Sequence, residues 1–245
     1  MLLALGATAV LHAPLRVLGF SLAPSAPAFY LYLAGLAMPS VAAIVLSRSG
    51  TRRAFLRSAL GPRGPVRAYA TALLAQAGLV MLAWLLLLAS DTQSTPRPSL
   101  APGLALLAVG QIWVVFGEEL GWRGFALPRL ESLLSPRQAT LTLALLWGVW
   151  HTPMFFVADS LQARASPWLF ATSIFAWSAI HTALYHRSRP SVLPNLVFHA
   201  SANITLNVGL VPVVLEPFLL ASYLLVGAVV WGTLRRPSPG TSSAP

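Results

Sequence analysis

Long apolar runs, separated by short polar or arginine-bearing stretches, dominate the chain from its first residues. A bilayer span needs about 20 consecutive apolar residues as a helix. Runs of that kind cover Leu2–Leu22, Ala26–Leu46, Ala68–Ala89, Leu100–Leu127, Gln138–Val157, Pro167–Tyr185, Pro194–Leu210 and Leu215–Leu234. The first is interrupted by His12, Pro14 and Arg16, and the seventh is short. Between them lie a basic loop, Arg48–Arg67, with the breaker run Gly61-Pro62-Arg63-Gly64-Pro65, and a polar turn, Asp91–Ser99. Pro128–Arg137 reads as an interfacial segment, Asp159–Ser166 as a loop and His186–Pro190 as a basic turn. None of the short alternating segments of a membrane β-barrel is present. The pattern predicts an all-α, polytopic membrane helix bundle of about eight spans. It divides into N-terminal spans (1–99), a core carrying the chemistry (100–210), a last span (211–234) and a Pro/Ser/Gly tail (235–245) expected to be disordered.

Composition sharpens this picture. The chain is 56% hydrophobic and 9% charged, and its mean hydropathy is +0.72, far from the roughly 25% charged of a soluble domain. Cysteine is absent, which excludes disulfides, thiolate metal sites and cysteine nucleophiles. The net charge of +10 comes from sixteen arginines without a lysine. Scattered between apolar runs, they set topology and form no nucleic-acid face. With the Arg48–Arg67 loop in the cytoplasm, both termini are cytoplasmic. Arg97 and Arg164 are then the arginines of the outer loops, with Arg16 near the outer end of the first span. That places a multi-pass protein in the cell inner (plasma) membrane, its basic loop against anionic lipid headgroups. Met1–Val10 carries no basic n-region, so no cleaved leader is expected.

Two of the six acidic residues, Glu118 and Glu119, sit side by side in an apolar run. An ionised group at that depth costs about 2.5–3.5 kcal/mol on insertion scales and marks function by default. Glu119 and Arg123 are four apart and share a helix face. Glu118 is rotated about 100° away and has no partner on its own helix. That nominates Glu119 as structural and Glu118 as reactive; pairing of both glutamates with interfacial arginines is the bland alternative. His151 follows Leu141–Trp150, and His199 and Asn203 share one face of the seventh span. Every polar group in lipid needs a partner, and the simplest arrangement gathers Glu118, His151, His199 and Asn203 into one buried site. His181 and His186 read as interfacial, and Asp159 and Glu216 as solvated. Ser173, Ser178 and Ser201 lack the context of a serine protease. Gly117, Gly121 and Gly124 allow close helix packing or a local opening beside the acids.

In order and spacing these residues resemble the CPBP (CAAX protease and bacteriocin-processing, or Abi) family, which includes the type II CAAX prenyl endopeptidases. Glu118-Glu119-Leu120-Gly121-Trp122-Arg123 is similar to its Glu-Glu-x-x-x-Arg motif. Trp147-Gly148-Val149-Trp150-His151 is similar to Phe-x-x-x-His, with Trp for Phe, and His199-Ala200-Ser201-Ala202-Asn203 to His-x-x-x-Asn/Asp. The resemblance covers about Gly103 to Val208 and implies an intramembrane endopeptidase acting on a peptide or lipidated-protein substrate. It implies Glu118 as general base assisted by His151, His199 and Asn203 as oxyanion donors, and Glu119 and Arg123 as structural support. Metal use is open: zinc on Glu118, His151 and His199 is one alternative, and a metal-free glutamate mechanism, the one favoured, is the other. Two non-proteolytic alternatives are a bacteriocin-immunity or scaffold protein of the same family and, from a different class, a proton-coupled transporter. The first hundred residues enter the resemblance only as membrane spans.

Overall fold

The structure is a computed structural model that describes residues 1–18, 27–62, 64–90, 104–158, 160, 162–207 and 215–234. Eleven α-helices are described: α1 (Leu2–Leu18), α2 (Pro27–Leu36), α3 (Met38–Leu46), α4 (Ser49–Leu60), α5 (Val66–Leu88), α6 (Leu104–Glu119), α7 (Leu127–Glu131), α8 (Pro136–His151), α9 (Pro167–Ser188), α10 (Leu193–Asn207) and α11 (Glu216–Thr233). A π-helical turn, Leu120–Ala126, joins α6 to α7 without a break, and 3₁₀ turns cover Thr152–Phe156 and Gln162–Arg164. No strand occurs among the described residues. The expected turn at Asp91–Ser99, Arg63, Asp159 and the tail 235–245 lie outside the described residues.

Local chemistry sets the boundaries. Ser135 caps α8 by accepting from the Gln138 amide while the Gln138 side chain accepts from the Ser135 amide, a capping box with Pro136 in the first turn. Pro153 has no N–H to continue the ladder, so α8 stops at His151 and a 3₁₀ turn follows, with Thr152 still in helical backbone and its N–H on the Val149 carbonyl. Pro39 has the same effect on the second apolar run. Its ring cannot continue α2, so the chain breaks at Ala37 and restarts as α3 at an angle of 49°. The expected loop Arg48–Arg67 contains a two-sided helix instead, α4, with Arg53 and Arg57 exposed and Ala59 buried. Arg52 turns back to donate through Nε to the Ile44 carbonyl at 2.9 Å, satisfying the C-terminal end of α3.

The protein is an integral membrane helix bundle. Helices α5 and α11 are each long and apolar enough to cross a bilayer, and the bent α2–α3 pair makes a third candidate. The expectation of eight spans therefore rests on the sequence pattern. Leu73, Leu74, Met81, Leu85 and Leu88 of α5 are exposed, as are Leu145 and Val149 of α8 and Leu225 and Val229 of α11. Such apolar outward faces suit lipid, where the helices satisfy their own backbone. Helix α11 packs along α9, α10 and α11 both lie on α5, and α3 lies across the π turn. Polar ties join the layers: Tyr223 donates to Gln76 Oε1 at 2.7 Å, and the Thr140 and Thr182 hydroxyls share a hydrogen bond at 3.0 Å. Trp150 donates to Thr8 at 2.8 Å, and Thr8 donates on to the Gly35 carbonyl at 2.9 Å, linking α8, α1 and α2.

Candidate active site

The polar groups singled out in the sequence converge on one indole, that of Trp147 in α8. Its Nε1–H donates to Glu118 Oε2 at 2.7 Å. The Arg123 guanidinium lies over its ring, 4.3 Å from the centroid. His151 and His199 lie against it at centroid distances of 5.6 and 5.8 Å. Glu118, Glu119, Arg123, His151 and His199 are all buried. α6, α8 and α10 thus bring together the residues the sequence nominated, and Asn203 follows His199 by one turn of α10, half-buried.

Glu119 does more than hold Arg123. Its Oε1 accepts from Arg123 Nη1 at 2.8 Å and from His199 Nδ1 at 2.8 Å. Glu119 therefore orients the histidine as well as the helix. The hydrogen bonds fix both ring tautomers. His199 Nδ1 faces a carboxylate and His151 Nδ1 faces the Trp147 carbonyl at 2.7 Å, so both Nδ1 atoms carry protons. Each neutral ring then offers a lone pair at Nε2. His199 can donate from Nε2 only as an imidazolium, whose charge Glu119 would balance. Glu118, Glu119 and Arg123 together leave one negative charge in this cluster, and a cationic His199 makes it neutral.

The structure corrects the interfacial reading of His181. It is fully buried, and its ring lies 5.4 Å from that of His199 and 6.0 Å from that of Trp147. Asn195, also fully buried, donates to the His181 carbonyl at 2.8 Å and to its Nδ1 at 3.0 Å. The carbonyl can only accept, so the amide nitrogen must face it. His181 Nδ1 is then an acceptor and its proton is on Nε2. At 3.6 Å from Glu119 Oε2, this neutral histidine makes no ion pair with the carboxylate. A sequence signal existed: Asn195, His199 and Asn203 recur every four residues on α10, so all three share a face. His186 pairs instead with Glu131, away from this cluster and toward the end of α9. Ser173 and Ser201 donate to their own helices at Phe170 and Phe198, as structural serines do.

The set expected for zinc is Glu118, His151 and His199. Among the described residues the metal-compatible cluster is Glu119, His181 and His199, with one ligand atom of each within 4.8 Å of the others. Its donors do not suit a cation. Glu119 Oε1 is already bound to Arg123 and His199. Oε2 is open and faces His181 Nδ1 at 3.6 Å, but that nitrogen accepts from Asn195 and His199 Nδ1 carries the proton it gives to Glu119, so neither histidine turns a free Nδ1 lone pair to the carboxylate.

Residues 99–205 match the family model described as Type II CAAX prenyl endopeptidase Rce1-like. A curated relative, CAAX prenyl protease 2 of Methanococcus maripaludis, is 34% identical over 93 residues, which cover 36% of this chain and 34% of the relative. The chain thus matches about a third of the length of that relative. The family-model match, residues 99–205, contains Glu118 to Asn203.

Proposed function

We propose that this chain, Rce1-like over its central segment, is an intramembrane endopeptidase that cleaves a membrane-associated, lipidated CAAX-type protein. The observation that carries the reading is the buried Glu118, held by the Trp147 N–H beside two histidines whose Nδ1 protons are already committed. In this reading Glu118 takes a proton from water as the oxygen attacks the scissile carbonyl, and later returns it to the leaving amine. His151, with Nε2 as an acceptor, orients the same water. The oxyanion receives an N–H from His199 in its doubly protonated form and another from the Asn203 amide. Glu119 holds the charge and the direction of His199. No metal is assigned a step.

The arginine bias supports cytoplasmic termini in an inner (plasma) membrane. The exposed Arg53 and Arg57 of α4 support contact with anionic headgroups. Substrate is then cut at the cytoplasmic side of the bilayer. Purified protein incubated with matched prenylated and unprenylated peptides tests this reading by mass spectrometry. Cleavage confined to the prenylated peptides, and unaffected by a chelator, is the expected result. Equal cleavage of both sets would remove the lipid from the substrate class, and cleavage abolished by chelator and restored by zinc would overturn the metal-free assignment.

A further inference from the structure

Ser40 stands outside the matched segment, in the N-terminal half, yet it reaches the backbone that carries the two glutamates. Its hydroxyl donates to the Phe116 carbonyl at 2.7 Å and accepts from the Gly121 amide at 3.2 Å. These two backbone groups are five residues apart, the spacing of a π-helical hydrogen bond. The hydroxyl therefore bridges backbone that spans Glu118 and Glu119. The π turn begins at Leu120, directly after them. A polar side chain set into the backbone ladder is a recognised cause of local helix opening.

Three features of the sequence bring Ser40 there. Pro39 breaks the α2–α3 helix, and the 49° bend points the start of α3 at α6. Gly117 and Gly121 remove the side chains that would hold the segments apart. A Cβ on Gly117 would lie 2.8 Å from Ala37 Cα, and one on Gly121 would lie 2.3 Å from the Pro39 carbonyl carbon. The contact is a close backbone approach with a buried hydroxyl at its centre.

We propose that Ser40 is a positioning residue for the glutamate pair, acting through the backbone of α6 and the π turn. Its role rests on the endopeptidase reading for its functional consequence. Its structural part, that the hydroxyl holds the 116–121 backbone, stands without that reading.

The test compares wild type, Ser40→Ala and Ser40→Thr by peptide cleavage, by thermal melting and by hydrogen–deuterium exchange of the peptide spanning Phe116–Arg123. Ser40→Ala is expected to exchange that peptide about ten-fold faster, as loss of two hydrogen bonds to one hydroxyl implies. Its kcat is expected to fall about ten- to a hundred-fold at nearly constant KM, the scale of a small misplacement of a catalytic group. Ser40→Thr keeps the hydroxyl and is expected to retain most of both properties. Wild-type exchange and wild-type kcat in a folded Ser40→Ala would overturn the proposal. So would equal losses in Ser40→Ala and Ser40→Thr, which would reduce Ser40 to a packing residue. If wild type cleaves nothing while Ser40→Ala still loosens 116–123, the endopeptidase reading fails and the backbone role of Ser40 survives. Should Ser40→Ala prove too unstable to purify, Ser40→Cys, close in size and a weaker hydrogen-bonding partner, supplies the exchange measurement, with the same two outcomes.

Discussion

The indole N–H of Trp147 donates to Glu118 Oε2 at 2.7 Å, while the carbonyl of the same residue holds His151 Nδ1 at 2.7 Å. One residue thus positions both members of the pair assigned to the water. Phenylalanine at this position would keep the ring but offer no donor. Trp147→Phe is expected to cut kcat about ten-fold, because a hydrogen bond to a charged group is worth about 1.5–3 kcal/mol and part of that is recovered by relaxation. Stopped assays on purified variant beside a melting curve check this. Full activity in a folded Trp147→Phe would remove the indole from the mechanism.

The two adjacent glutamates are expected to fail in different ways. Glu119 is fully buried and carries both Arg123 and His199. Neutralising it in Glu119→Gln leaves a buried guanidinium without its counter-charge, a loss of about 3–5 kcal/mol. Lower yield and a clearly lower melting temperature should follow. Glu118→Gln removes no ion pair and should melt near wild type. Similar melting of both variants would contradict the division of roles.

Asn195 should stabilise the site through His181 alone. Asn195→Ala withdraws the donor from the His181 ring and from its carbonyl, at a cost of about 1–3 kcal/mol. A double-mutant cycle with His181→Ala isolates the shared part. A coupling of about 0.5–3 kcal/mol is expected, and strict additivity would place the two residues in separate networks.

Two glycines separate close packing from helix propensity. Gly121→Ala drives a methyl against Pro39, where the Cβ would lie 2.3 Å from backbone carbon. Overpacking of that kind costs about 1–3 kcal/mol and should also lower activity through the neighbouring glutamates. Gly78→Ala, with nothing within 4 Å of the new Cβ, should leave stability unchanged or raise it by up to about 1 kcal/mol. Thermal melts of the two variants side by side decide the point.

Periodic and compositional signals were enough for the helical membrane architecture, because length and hydropathy act locally along the chain. They were also enough for the convergence of α6, α8 and α10, since Glu118, His151 and His199 are too costly to leave unpartnered in lipid. His181 escaped because a single histidine four residues from an aromatic, near a basic turn, reads as a span end. Its burial depends on Asn195, which the sequence places on a different helix. The shared grip of Glu119 on Arg123 and His199 was hidden for a similar reason: the i, i+4 spacing to Arg123 is local, whereas the contact to His199 spans 80 positions. The π turn is the least legible feature. The glycines of Gly117–Arg123 allow a local opening beside the acids, but Ser40, which holds that backbone, lies 76 residues before Phe116, and nothing local names it.

The central claim, that Glu118 activates the hydrolytic water, is tested most directly by one comparison. Wild type and Glu118→Gln are purified in the same detergent, matched for melting temperature, and given the same prenylated peptide. Cleavage by wild type and its loss by at least about a thousand-fold in Glu118→Gln is the predicted result, the scale expected for removal of a general base. Comparable cleavage by the two proteins would contradict it and assign Glu118 a purely structural place beside Trp147.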